Sequence, residues 1–290
     1  MMDFRSILMG MAFVIMWSSA FTSARMIVAD APPLTALALR FLLSGLIGVG
    51  LARLMGQSWH LTRSQWRATA VFGLCQNALY LGLNFIAMQN VEASLAAIIA
   101  STMPLLVALA GLVVFGERIQ PLGFAGLIAG IIGVSLIMGA RFQGGVDGLG
   151  ITLCTFGVIS LTVATLAMRG ASAGGNFLMV VGLQMLVGSA VLAVPAILFE
   201  PFSVNWNLRL IAAFTYTTLV PGLAATLVWF MLVDRIGTVK AATFHFLNPF
   251  FGVAIAAMFL SEKLGPLDLV GVIIITGGIL AVQLSKQKPQ

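Results

Sequence analysis

The sequence predicts an all-α membrane protein, with ten transmembrane helices arranged as two inverted five-helix repeats. Three observations carry that expectation. Hydrophobic residues make up 60% of the chain and charged residues 8%, against a usual charged share of about a quarter, and mean hydropathy is +1.07. A soluble globule of this size has no interior large enough for that much apolar surface, so the solvent must be lipid. The apolar residues also fall into about ten runs, each near the roughly 20 residues a helix needs to cross a hydrocarbon core about 30 Å thick. Finally, one stretch is written twice. AAIIASTMPLLVALAGLVVFGERIQPLGFAGLIAGIIG, from Ala96 to Gly133, returns 145 residues later as AATFHFLNPFFGVAIAAMFLSEKLGPLDLVGVIIITGG.

Within that stretch Ala96/Ala241, Ala97/Ala242, Pro104/Pro249, Glu117/Glu262, Pro121/Pro266, Leu122/Leu267, Gly126/Gly271, Ile128/Ile273 and Gly133/Gly278 coincide without a gap. Shared glycines alone are weak evidence in apolar sequence. A shared proline followed at the same distance by Glu-[Arg/Lys]-x-x-Pro is strong evidence. The chain has 290 residues, so it divides into repeats 1–145 and 146–290.

Taken in order, the spans are predicted near 6–28, 34–54, 66–88, 93–115, 121–140, 148–168, 176–198, 209–232, 238–260 and 266–284. Turn chemistry separates them: Pro32-Pro33 precedes the second, Pro121 and Pro266 open the fifth and tenth, and Gly144-Gly145 and Gly174-Gly175 part others. The runs are too long for barrel strands, which alternate over about ten residues. The first span has features of a cleaved leader, with Arg5, an apolar run to Trp17 and then Ser18-Ser19-Ala20. Its removal would leave the sixth span without a repeat partner, so it is read as a span.

An even number of spans puts both termini on one side. That side collects Arg5, Arg53, Arg63, Arg67, Arg118, Arg169, Arg235, Lys240, Lys286 and Lys288. The other has Arg25, Arg141, Arg209 and Lys263, with Arg40 a turn and a half into the second span. Ten against four or five places both termini in the cytoplasm, and the expected location is the cell inner (plasma) membrane, crossed many times. Five spans per repeat is an odd number, so the repeats cross in opposite senses, an organisation used by many secondary transporters.

Several function classes are excluded or disfavoured. The basic residues are scattered singly between apolar runs and form no patch, so nucleic acid is not a partner. Cys75 and Cys154 lie in apolar runs without CxxC spacing, and neither a disulfide framework nor a metal site is predicted. There is no GxxxxGK[ST], and no cofactor is expected. Asp3, Asp30, Glu92, Glu117, Asp147, Glu200, Asp234, Glu262 and Asp268 all lie at or near span ends, so a mid-membrane carboxylate relay is not encoded.

The candidate site residues are polar or aromatic groups at bilayer depth. Gln76, Asn77, Tyr80 and Asn84 fall within a quarter-turn arc of the third span at 100° per residue, a polar face that must look into the bundle or a wet cavity. On the ninth span Phe244, His245 and Asn248 cluster, with Gly252 one turn on. Trp17 sits in mid-span, away from the interfacial belt where tryptophan is usual, with Ser18, Thr22 and Arg25 on a neighbouring face. Thr155 and Thr162 share a face of the sixth span, Ser101 lies beside the fourth-span proline, and Tyr216 and Trp229 are eighth-span candidates of undetermined facing. Pro104 and Pro249 are candidate hinges. Each lacks an amide hydrogen and so releases a carbonyl, at Ala100 and His245. The commonplace alternatives are helix–helix hydrogen bonds for the polar arc and a packing kink for each proline.

Pro104…Gly116-Glu117-Arg118-x-x-Pro121, echoed by Pro249…Ser261-Glu262-Lys263-x-x-Pro266, resembles the drug/metabolite transporter superfamily, specifically its EamA-type members. Trp17 and Arg40 fit that pattern. Ser18-Ser19 departs from it, where many members carry Gly and then Asn two residues on. Within the family the chain looks most like bacterial exporters of aromatic amino acids. The resemblance implies export of such compounds through a central cavity by rocking of the halves. The expected function is therefore a non-enzymatic secondary transporter for a small-molecule substrate, embedded in the lipid bilayer as a monomer, with a homodimer as the alternative. A passive uniporter or channel and an intramembrane transferase are the competing classes.

Overall fold

The computed structural model describes residues 3–143, 145, 147–167 and 175–285. Gly144 and Gly174 of the predicted turn pairs, and Arg169, Lys286 and Lys288 of the orientation count, lie outside the described residues. Among the described residues every regular element is a helix and there is no strand. Ten helices are long and apolar enough to cross a membrane: span 1 Phe4–Val28, span 2 Pro33–Leu54, span 3 Arg63–Ala87, span 4 Ala93–Val113, span 5 Pro121–Arg141, span 6 Gly148–Ala167, span 7 Phe177–Phe199, span 8 Leu208–Ile236, span 9 Lys240–Leu260 and span 10 Pro266–Ser285. Every end lies within four residues of its predicted position.

The compact units are a different partition from the sequence repeats. One unit comprises Met1–Thr22, Val91–Ile151 and Ala225–Gln290; the other comprises Ser23–Asn90 and Thr152–Ala224. Each draws spans from both halves of the chain.

In the first unit span 5 packs along span 10, and span 4 along span 9. These are the repeat-equivalent pairs. The glycines that coincide in the sequence meet crosswise: a Cβ at Gly126 would lie 2.6 Å from the Gly278 carbonyl oxygen, and one at Gly133 would lie 3.0 Å from that of Gly271. Crosswise pairing makes the helices antiparallel and brings their backbones together as small residues do in membranes, where packing replaces the hydrophobic drive. Gly252 likewise faces Ala97, 2.7 Å from its would-be Cβ. A further core of Phe13, Val14, Ala225, Leu232, Ala241 and Phe244 joins span 1 to the ends of spans 8 and 9. At one end of this unit Arg141 pairs with Glu92 and Asp268. At the other, Asp3 pairs with Arg235, and Arg235, with Ser6, holds the Asp3 carboxyl well below the usual carboxylate range.

The repeated glutamates are both structural. Glu262 accepts the N–H groups of Ala93 at 2.7 Å and Ser94 at 2.9 Å, so one carboxylate closes two of the orphan donors at the start of span 4, where the helix dipole also favours negative charge. Glu117 folds back on the far end of that span, its N–H donating to the Gly111 carbonyl at 2.9 Å with its carboxylate over the bare Gly111 Cα. Glu262→Gln keeps the size but halves the acceptor capacity and removes the charge. It is expected to lower stability by about 1–2 kcal/mol, read as a lower unfolding temperature of the purified protein.

In the second unit span 2 packs along span 7. Gly45 and Gly48 face Gly182, and Ala52 meets Leu178 and Met179. The Ser189 hydroxyl donates to the Ala38 carbonyl at 2.8 Å, so this repeat-equivalent pair is antiparallel too. Glu200 caps span 2 as Glu262 caps span 4, accepting the N–H groups of Leu34 and Thr35 at 2.7 Å each. The antiparallel pairing of spans 2 with 7, 4 with 9 and 5 with 10 is what an inverted repeat requires.

Four spans depart from α geometry, in two repeat-equivalent pairs. Span 3 is π-helical over Gly73–Tyr80, and span 8 over Val220–Ala224. Span 4 breaks at Thr102, between Ala93–Ser101 and Met103–Val113. Span 9 tightens to a 3₁₀ turn over Phe244–Leu247 before Asn248–Leu260. The prolines were expected to free the carbonyls of Ala100 and His245. At His245 the backbone instead rewinds to use the carbonyl, which accepts from the Asn248 N–H, while in span 4 the Thr102 N–H donates to the Ile99 carbonyl at 3.1 Å. A 3₁₀ turn exchanges a missing i→i+4 bond for an i→i+3 bond, which in lipid is preferable to an open carbonyl.

Candidate functional site

The first unit assembles an aromatic box around an imidazole. Phe13 and Trp17 lie four residues apart, on one face of span 1. Trp229 comes from the last part of span 8, and His245 from the 3₁₀ turn of span 9. The ring of His245 stands 5.1 Å from Trp229, 5.2 Å from Phe13 and 6.5 Å from Trp17, each edge-to-face. Phe13 closes on Trp229 at 4.8 Å and on Trp17 at 5.7 Å. Such ring pairs contribute about 0.5–1.5 kcal/mol each beyond the area they bury, so the box holds its shape without a ligand. Phe244 is buried beside it and lies over Gly10, whose bare Cα leaves room for that ring.

One wall of the box is polar. His245 Nδ1 lies 2.9 Å from Asn248 Nδ2. An amide nitrogen only donates, so Nδ1 accepts and the neutral ring carries its proton on Nε2. The Ser18 hydroxyl reaches toward the Asn248 carbonyl at 3.4 Å and Oδ1 at 3.5 Å. Trp17, Phe244, His245 and Asn248, predicted separately, therefore come together. Ser101 belongs to the same unit, but its hydroxyl donates to the Ala97 carbonyl at 2.6 Å within its own helix. Pro104 and Pro249 each follow directly on the break in their span.

The remaining candidates lie in the second unit. The π turn shapes their placement, because a wider turn shifts each residue off the 100° spacing that defined the predicted arc. Asn77 is buried and donates from Nδ2 to the Gln184 carbonyl at 2.9 Å, tying span 3 to span 7 where Gly188 opposes its Cβ. Tyr80 is buried, and Asn84 Nδ2 donates to its carbonyl at 2.8 Å. Asn84 Oδ1 is buried without a hydrogen-bond partner, an acceptor still to be satisfied. Gly157 of span 6 lies against Asn84 and Tyr80. Thr162, also on span 6, spends its hydroxyl on the Val158 carbonyl at 2.8 Å. Asn77, Tyr80 and Asn84 thus share one stretch of span 3, and Thr162 makes no hydrogen bond with them.

Two features escaped the sequence reading. Phe13 looked like any other apolar residue, although its i, i+4 relation to Trp17 was a usable signal. Arg40 was counted as an orientation charge, yet it is only 5% exposed. Its Nε has no hydrogen-bond partner, and its guanidinium lies 5.1 Å from the centre of the Phe41 ring. A guanidinium at the centre of a membrane helix costs roughly 2.5–3.5 kcal/mol on insertion scales, and a ring contact returns about 0.5–2 kcal/mol.

The comparisons agree with this architecture. The sequence pattern of the EamA-like transporter family matches residues 4–139 and again 148–284. The uncharacterized transporter YvbV of Bacillus subtilis (strain 168) is 28% identical over 278 residues, covering 96% of this chain and 90% of that protein. Protein PecM of Dickeya dadantii (strain 3937) is 24% identical over 91% of this chain and 86% of its own length. The aromatic amino acid exporter YddG of Ancylobacter novellus is 31% identical over 139 residues, 47% of each chain. A solved crystal structure shares the fold at a TM-score of 0.69, covering 97% of this chain and 96% of that one at 21% identity. With two matches that together span nearly its whole length, this multi-pass membrane protein belongs to the EamA-like transporter family.

Proposed function

We propose that the protein is a secondary transporter of the inner (plasma) membrane that exports small amphipathic metabolites, aromatic amino acids foremost, by alternating access. The observation that carries this reading is the box of Phe13, Trp17, Trp229 and His245 with Asn248 and Ser18 on its polar side. Apolar rings of that kind hold a flat hydrophobic group, and hydroxyl, amide and imidazole groups orient a polar substituent. The partial match to an aromatic amino acid exporter supports the same substrate class. Asn77, Tyr80, Asn84, Ser101, Thr162 and Phe244 complete the proposed set of substrate-facing residues. Pro104 and Pro249 serve as hinges, since the breaks they follow are the points where spans 4 and 9 bend at least cost. The termini are cytoplasmic on this reading, by an excess of ten basic residues against four or five. The protein is no enzyme on this reading, and a single copy suffices.

Counterflow tests this directly. Proteoliposomes preloaded with unlabelled tryptophan are expected to accumulate labelled tryptophan transiently above its external concentration, and far less of it when empty. Equal entry with and without preloading would identify a channel. Entry no faster than in protein-free liposomes would remove aromatic amino acids from the substrate list.

A further inference from the structure

The second unit contains a cation, Arg40, with no ion-pair partner among the described residues. Arg40 is seven residues into span 2, about 10 Å along the helix at 1.5 Å per residue. It is 5% exposed. The carboxylates of that unit are Asp30 and Glu200. Glu200 is already committed, with both oxygens accepting from Leu34 and Thr35 at the head of the helix. The ion pairs among the described residues join Arg141 to Glu92 and Asp268, and Arg235 to Asp3. Arg40 takes part in none of them. Its Nε is buried without a hydrogen-bond acceptor, and the guanidinium lies over the face of Phe41. The ring stabilises the charge but accepts none of the guanidinium's hydrogens in its plane.

A gap about one methyl group wide lies in front of that charge. Gly222, within the π turn of span 8, faces it: a Cβ there would stand 3.7 Å from Arg40 Nη2, 3.4 Å from Ser44 Oγ and 3.1 Å from the Thr217 carbonyl oxygen. Any larger residue would fill the gap between the turn and the guanidinium. The surrounding hydroxyls are spent elsewhere. Thr217 Oγ1 donates to the Ala213 carbonyl, Thr218 Oγ1 to that of Phe214, and Ser44 Oγ to that of Thr218. The unspent donors at this place are thus those of Arg40. Nor does the scaffold require a charge here, because the position 145 residues on, in the antiparallel partner span 7, is Met185.

We infer that Arg40 and the glycine-opened turn at Gly222 form a buried receptor for a single carboxylate, the carboxylate of the transported metabolite. A planar fork of N–H donors pairs with a carboxylate through two parallel bonds. One negative charge cancels the one positive charge, whereas a phosphate dianion would leave an excess in low dielectric. Identifying that carboxylate with the cargo rests on the transport reading above; the anion site itself does not.

The test uses the purified full-length protein in detergent and three probes that share a ring: benzoate, benzylamine and benzyl alcohol. Benzoate is expected to raise the unfolding temperature of the wild type saturably, and the other two are not. Arg40→Gln is expected to weaken benzoate at least tenfold, with Arg40→Lys recovering part of the loss. Gly222→Ala keeps the charge and blocks the space, and is expected to weaken benzoate about fivefold; it carries the test if Arg40→Gln does not fold. Benzoate that fails to stabilise the wild type, or binds Arg40→Gln or Gly222→Ala as it binds the wild type, overturns the site. Counterflow of tryptophan and of tryptamine, which lacks the carboxylate, separates the two claims. Selective loss of tryptophan exchange in Arg40→Gln supports the cargo assignment. Undiminished tryptophan exchange in that variant overturns that assignment while leaving aromatic transport standing. Arg40-dependent benzoate binding in a protein that exchanges no aromatic amino acid keeps the anion site and ends the aromatic reading.

Discussion

Gly278→Leu is expected to abolish the folded protein, while Gly277→Leu, one residue away, is expected to leave it intact. The difference lies in what each new side chain meets. A Cβ at position 278 falls 2.6 Å from the Gly126 carbonyl oxygen and 2.8 Å from the Gly130 amide nitrogen, whereas one at 277 has nothing within 4 Å. Overpacking in a core costs about 1–3 kcal/mol when neighbouring side chains can shift. Here the obstacles are backbone atoms of an antiparallel helix, so spans 5 and 10 must separate along their length. The expected loss is more than about 3 kcal/mol, a large part of a typical folding free energy. Gly277→Leu points outward and should stay within about 0.5 kcal/mol of the wild type. Thermal unfolding in detergent and the monodisperse yield of each variant decide the matter. Equal behaviour of the two would mean that the glycine contact is not what holds this pair of spans.

The second large effect concerns transport. Trp229→Ala and His245→Leu are each expected to lower the exchange of labelled tryptophan by about tenfold to a hundredfold. Trp229→Ala removes an apolar wall, and a substrate ring that loses one gives up roughly 1.5–3 kcal/mol. His245→Leu keeps an apolar surface but removes the polar group and leaves the Asn248 amide unpaired, at about 1–3 kcal/mol, and both losses correspond to that range. The loss should appear chiefly as a raised half-saturation concentration for Trp229→Ala, because the ring contact is made in every bound state. Trp206→Ala is the control, since that tryptophan is 75% exposed between spans 7 and 8. A folded Trp229→Ala protein that exchanges tryptophan like the wild type would show that the box is only packing.

Much of the fold was legible because bilayer thickness sets helix length so tightly that counting apolar residues located every span. The repeat was legible for the same reason that it matters structurally. Gly126, Gly133, Gly271 and Gly278 recur because two helices of the same kind press their backbones together, and only glycine permits that approach at all four places. The site was less legible. No residue pattern announces a π turn, so the third-span arc was drawn at α spacing, and the amide of Asn77 proved to be tied to Gln184. Trp17 drew notice by its depth, but its companions Trp229 and His245 lie more than 200 residues further along. Their meeting depends on packing that no local rule contains. The breaks in spans 4 and 9 lie beside Pro104 and Pro249, and the carbonyl expected to be free at His245 is instead taken up by a 3₁₀ turn.

The antiparallel pairing of repeat-equivalent spans also bears on how the chain is made. Span 5 finishes its glycine surface against span 10, and span 2 finishes its own against span 7, each partner lying 145 residues downstream. At a synthesis rate of about 5–20 residues per second, each early helix therefore waits roughly 7–30 s in the bilayer for its mate. During that interval its small-residue face is open to any neighbouring nascent helix. The N-terminal half released alone is thus expected to be held by the insertion machinery or degraded, and the two halves supplied as separate polypeptides should rescue one another.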